Sequence, residues 1–239
     1  MAKDASQSSQ ASMEKSAAME LREERLAARL RGFGPLGLLA IFFILYAHLY
    51  FVPLAGAMVL VWARLSRTPW RELGLVRPQS WVKSAVIGTV FGVALKFFMK
   101  AVTMPLLGAP AVNQPYHYLA GNRAEIPWFL LTILGAGVAE EIVFRGYAFE
   151  RLGKLLGPGM GVKWAAVLLT AVWFGWAHYL NQGIPGVEHA AIIGLVFGAI
   201  FAYTGRLFML MCAHAAVDLA AYAIIYWNLE SKVAHLIFK

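Results

Sequence analysis

The chain has 239 residues, of which 60% are hydrophobic and 14% charged, and its mean hydropathy is +0.62. A soluble domain is nearer 45–50% apolar, with about a quarter of its residues charged, so this composition excludes an ordinary soluble enzyme and predicts an all-α, polytopic transmembrane helix bundle. The net charge of +8 lies beside apolar runs, which fits basic loops at a membrane surface and argues against a nucleic-acid partner.

The only cysteine, Cys212, leaves no internal disulfide to form. Residues 1–32 read as a polar N-terminal arm. Residues 1–13 are polar and of low complexity, and are expected to lack structure. Residues 14–32 carry helix formers of mixed charge and predict a short surface helix. No apolar core of a signal peptide is visible in this arm.

The membrane domain is expected over residues 33–239. Residues 36–65 form the first apolar stretch, interrupted at Pro53. About 20 residues make one crossing, so the length favours one kinked helix. Basic residues at both ends (Arg29 and Arg31, then Arg64, Arg67, Arg71 and Arg77) favour a hairpin bent at Pro53. The sequence leaves both forms open.

Residues 82–102 predict the next span, with Gly88 and Gly92 at a spacing that lets helices approach closely. Residues 103–125 hold three prolines and are placed outside. A span starts at Ile126. Residues 164–180, 190–203 and 207–227 predict the last three, with a Gly/Pro turn at 181–187 between the first two. The count is about six spans, or seven if residues 36–65 are a hairpin, in a multi-pass protein of the cell membrane.

The span from Ile126 runs into Glu140, Glu141 and Arg145. A carboxylate or guanidinium near the middle of a span costs at least about 2.5–3.5 kcal/mol. Three such groups within six residues require partners or a use. On a helix Glu141 and Arg145 are one turn apart and can pair, while Glu140 points about 100° away. Glu140 is then free to face another helix as a general base, with a histidine sharing its water.

Two later spans offer such groups: Phe174 and His178, one turn apart, then His214 and Asp218 at the same spacing. At 1.5 Å per residue, Glu140 lies about 21 Å in from Ile126 and His214 about 10 Å in from Leu207, so both sit about 10 Å from the cytoplasmic face of a core about 30 Å thick. Counted from Trp164, His178 falls about 21 Å from that face, a poorer match.

The three motifs Glu140-Glu141-xxx-Arg145, Phe174-xxx-His178 and His214-xxx-Asp218 together resemble the CPBP family. This family of CAAX proteases and bacteriocin-processing enzymes, also called Abi, includes the type II CAAX prenyl endopeptidase. The segment from Gly194 to Gly198, with Tyr203 to Leu207, is similar to its third conserved block. The resemblance covers Ile126 to about Tyr226, and no motif of it precedes residue 126.

The resemblance implies an intramembrane endopeptidase that cleaves near the cytoplasmic side. Glu140 matches the catalytic glutamate and would activate a water with His178. His214 and Asp218 match the pair proposed to hold the oxyanion, with Glu141, Arg145 and Phe174 in support. The last position is often Asn in the family. An aspartate donates a hydrogen bond only when protonated, so Asp218 would otherwise orient His214. A set of Glu140, His178 and His214 could also hold zinc. No HExxH is present. The preferred reading is a glutamate-activated water without a cofactor, with zinc as the alternative.

No GxSG occurs, and the spans from Ile126 onward lack serine, which removes a rhomboid nucleophile. Asp4 and Asp218 are the only aspartates, which excludes a two-aspartate protease. The implied substrate is a membrane-associated peptide or protein. A prenylated CAAX tail, a leader peptide and a membrane-anchored regulator all remain open. The competing readings are a non-catalytic immunity or scaffold protein of the same family and a small transporter.

Overall fold

The computed structural model describes residues 2–238, with side chains from Ser12 onward, and every regular element among the described residues is helical. Helix α1 spans Ala2–Arg31. Most of the stretch expected to lack structure, residues 1–13, falls outside the residues with described side chains, and its backbone from Ala2 continues into α1.

Helices α2 (Pro35–Tyr50) and α3 (Val52–Leu65) replace the first apolar stretch, and the chain breaks at Phe51, which is extended at φ −152° and ψ 92°. Pro53 sits in the first turn of α3, where its missing N–H costs no intrahelical bond. The Trp62 indole, near the end of α3, donates to the Leu30 carbonyl at 3.1 Å. Beyond α3, Arg67 pairs with Glu23 of α1 at 2.9 Å. The end of α3 therefore returns to the start of α2, and the pair is a hairpin turning at Phe51. With 16 and 14 residues, its arms are about 24 and 21 Å long, short of a core about 30 Å thick.

Among the described residues five helices are long and apolar enough to cross a membrane, or six if α1 from Ser12 and α2, bent by 60°, form one span. The first, α4 (Trp81–Phe98), continues through a π-helical turn, Met99–Thr103, to Leu106. Next, α5 (Ile126–Glu140) runs into a π-helical segment, Glu141–Ala148, and then α6 (Phe149–Leu156). The others are α7 (Met160–Ala177), α8 (Tyr179–Thr204) and α9 (Phe208–Tyr226), before a short α10 (Glu230–Ala234). The protein is a multi-pass all-α bundle with five or six candidate spans; the seven expected of a hairpin that crosses twice is not reached, because each arm is short of span length.

One boundary differs clearly from expectation. The turn expected at 181–187 is a kink inside α8, not a separate loop. Gly183 takes φ 63° and ψ −160°, a conformation that L side chains avoid. Pro185 follows in the first turn of the resumed helix, where a proline is tolerated.

Small residues set the closest approaches. A Cβ at Gly88 would lie 2.9 Å from Cys212 Cβ, and one at Gly92 would lie 2.9 Å from Ala216 Cβ, so α4 and α9 run side by side in parallel register. Gly137 brings α5 against Ala215 of α9, and Gly56 brings α3 against Ala139. These contacts gather α3, α5 and α9 around Glu140, while Val90, Leu131 and Val172 stay exposed on the outside as lipid requires.

Candidate active site

Glu140 is the last residue of α5, and Glu141 opens the π-helical segment. Single π turns in long helices concentrate at functional sites, because the wider turn redirects side chains. Here the two neighbouring carboxylates part company. Glu141 is fully buried, and its Oε1 accepts from Arg145 Nη1 at 2.8 Å and from His214 Nδ1 at 2.7 Å. The expected Glu141–Arg145 pair is therefore formed. The Arg145 guanidinium also lies over the Phe174 and Phe197 rings, 4.8 and 5.5 Å from their centroids. These cation–π contacts replace water around a buried charge.

The bond to Glu141 gives that carboxylate a second task. It accepts the Nδ1–H of His214, which keeps that nitrogen protonated and turns Nε2 the other way. Nε2 then faces Glu140 Oε2 at 3.4 Å and Asp218 Oδ2 at 3.8 Å. Asp218 remains one-third exposed, so its carboxylate can be solvated while it borders the histidine. Among the described residues no hydrogen-bond donor is bound to either oxygen of Glu140, although the side chain is only 9% exposed.

His178 caps the end of α7, and its Nδ1–H donates to the Phe174 carbonyl at 2.7 Å. Its Nε2 is the free acceptor of the neutral ring. The Phe174 ring meets His178 edge-on at 4.7 Å, Phe144 at 4.9 Å and His214 at 5.9 Å. Phe174 is thus the spacer between the two histidines. His178 makes no ion pair with Glu140 within 4.0 Å. Glu140, His214, Asp218, Glu141 and Arg145 form one continuous contact chain, and His178 joins it through Phe174.

Zinc would need three donors converging on one point at about 2.0–2.2 Å from the metal. Glu140 and His214 approach each other, but His178 does not complete the set. Among the described residues no three His, Cys, Asp or Glu side chains gather in a way that could hold a metal ion. The donor set as arranged does not fit zinc.

One residue at the site lies outside the motifs. His48 of α2 points its Nε2 at Glu140 Oε1, 3.8 Å away, and packs edge-on against Phe144 at 4.7 Å. In the sequence it is a lone histidine on an apolar run, with no motif spacing to connect it to Glu140.

A second polar cluster lies at the other end of α4 and α9. Glu230 of α10 accepts from the Asn113 backbone N–H at 2.7 Å and lies 3.3 Å from His117 Nδ1 and 3.8 Å from Lys100 Nζ. These contacts fasten the loop after α4 to the C-terminal helix.

Residues 122–220 match the protein family described as type II CAAX prenyl endopeptidase, Rce1-like. That family is one of proteases, and the match takes in all three motifs and agrees with the resemblance read from them. Neither the curated proteins nor the solved structures contain a match to the chain.

Proposed function

We propose that the chain is an intramembrane endopeptidase that hydrolyses a peptide bond of a membrane-associated protein or peptide through a water activated by Glu140. The observation that carries this reading is the state of the Glu140 carboxylate. It is enclosed by helices, and its two oxygens face two histidines, His48 at 3.8 Å and, at 3.4 Å, His214, whose other nitrogen is held by Glu141. A buried carboxylate that faces histidine nitrogens is placed to hold a water between them and to take its proton.

In the proposed reaction Glu140 takes a proton from water as the water oxygen adds to the peptide carbonyl. The tetrahedral oxyanion collapses, the C–N bond breaks, and the proton on Glu140 passes to the leaving amine. His214, oriented by Glu141 and flanked by three carboxylates, would enter the reaction protonated at both ring nitrogens and donate its Nε2–H to the oxyanion. His178 would help hold the attacking water through its free Nε2, and Asp218 would hold His214. The basic residues in the last turns of α1, α3 and α6 (Arg29 and Arg31, Arg64, Lys154) favour a site toward the cytoplasmic side.

The family match makes a prenylated CAAX tail the first substrate class to try. The purified protein in liposomes is given a farnesylated CAAX-tail peptide, and the products are read by mass spectrometry. Cleavage by the wild type and none by folded Glu140→Ala is the expected result. Cleavage by Glu140→Ala at the wild-type rate would overturn the assignment. A comparison of new N-termini among membrane proteins of wild-type and Glu140→Ala cells extends the test to leader peptides and anchored regulators.

A further inference from the structure

His48 is the one buried ionisable side chain at the site that the proposed reaction does not use. It is 5% exposed, and neither of its ring nitrogens has a hydrogen-bond partner. A neutral imidazole always carries one N–H, and burying that donor unpaired is costly. The nearest anionic atom to Nε2 is Glu140 Oε1, at 3.8 Å. A small rotation of either side chain brings that pair to hydrogen-bonding distance, and contacts at catalytic groups commonly tighten in this way when substrate binds.

The placement of His48 is firm. The α2–α3 hairpin is seated on α5 immediately beside Glu140. A Cβ at Gly56 would lie 2.7 Å from Ala139 Cβ, and one at Gly135 would lie 3.3 Å from Pro53 Cγ. The Phe144 ring closes the other side of the imidazole. The two oxygens of Glu140 thus face different histidines, Oε1 toward His48 and Oε2 toward His214.

We propose that His48 is a positioning residue for Glu140. Its Nε2–H takes Oε1 as a hydrogen-bond acceptor, fixes the plane of the carboxylate, and leaves Oε2 as the oxygen that receives the proton of the attacking water. The hairpin, which lies outside the segment matched to the protease family, then supplies part of the reaction geometry. This inference rests on the peptidase reading.

The test compares wild type, Glu140→Ala, His48→Leu and His48→Gln in liposomes on the same farnesylated peptide, with thermal unfolding in detergent to confirm folding. Leucine fills the site without a donor, and glutamine restores an N–H near the position of Nε2. His48→Leu is expected to lose about 10- to 100-fold in kcat, the scale of a misplaced catalytic group, with KM little changed. His48→Gln is expected to recover most of that loss. Full activity in His48→Leu would overturn the proposal, as would equal losses in the two variants, which would mark a packing role. Undiminished cleavage by Glu140→Ala would instead overturn the peptidase reading beneath it.

Discussion

Two buried glutamates, Glu140 and Glu230, show how differently this bundle treats a carboxylate. Glu230 is saturated. One oxygen takes a backbone N–H, the other faces His117, and Lys100 supplies a nearby positive charge. Glu140 has two histidine nitrogens at 3.4 and 3.8 Å and, among the described residues, neither a backbone N–H nor a lysine beside it. Both are buried, Glu140 where α5 passes into the π-helical segment and Glu230 at the start of α10, and an unsatisfied buried charge is expensive. The saturated carboxylate ties a loop to a helix and has little left to give a substrate. The unsaturated one persists because packing around it is fixed from three sides, by α3, by α9 and by the π-helical segment that carries Glu141.

Glu141 sharpens the contrast, because it is adjacent in sequence to Glu140 yet behaves like Glu230. Its Oε1 serves both Arg145 and His214. Replacing it removes the carboxylate paired with the buried Arg145 guanidinium. Glu141→Gln is therefore expected to destabilise the protein by about 3–5 kcal/mol, the cost of leaving a buried charge unpaired. It would also lower cleavage by releasing the His214 ring that it orients. Thermal unfolding in detergent reads the first effect. A stable Glu141→Gln protein would mean that the pair is not what holds Arg145.

The saturated cluster is expected to matter less, and only for stability. Glu230→Ala loses the Asn113 and His117 contacts and should cost about 1–3 kcal/mol, while cleavage per folded molecule changes less than tenfold. A large loss of cleavage without loss of stability would erase the distinction between the two glutamates. Smaller still is the exposed pair of Arg67 and Glu23, whose side chains are 40% and 62% exposed. Arg67→Ala should cost under about 1 kcal/mol and leave cleavage unchanged. Chelation is expected to have no effect on cleavage. A loss under chelator that zinc restores would show that Glu140, His178 and His214 gather around a metal when substrate is bound.

Much of this was legible in the sequence because it is local. Apolar runs of span length predict the five crossing helices, and four-residue spacings place Glu141 beside Arg145 and His214 beside Asp218. The small residues Gly88 and Gly92 announce the contact between α4 and α9. What stayed hidden is tertiary or conformational. The hairpin turn at Phe51 is decided by where Trp62 finds an acceptor, at Leu30, and not by Pro53. The π-helical segment Glu141–Ala148 has no composition that marks it. The bond from His214 to Glu141, and not only to its own Asp218, depends on how α9 sits against α5. His48 carries no motif and is joined to Glu140 only by the seating of the hairpin. The depth counted for His178 along a straight helix omits the way its ring leans back onto the Phe174 carbonyl.

In the proposed reaction Glu140 is the base, and a single substitution isolates it. Glu140→Gln keeps the shape of the side chain and removes its ability to take a proton. The measurement is kcat of the purified variant in liposomes on the farnesylated CAAX-tail peptide, beside its unfolding temperature. A fall of about 10²–10⁴-fold in kcat, the usual share of a general base, with an unfolding temperature close to that of the wild type is the predicted result. A folded Glu140→Gln protein that cleaves at the wild-type rate would contradict it.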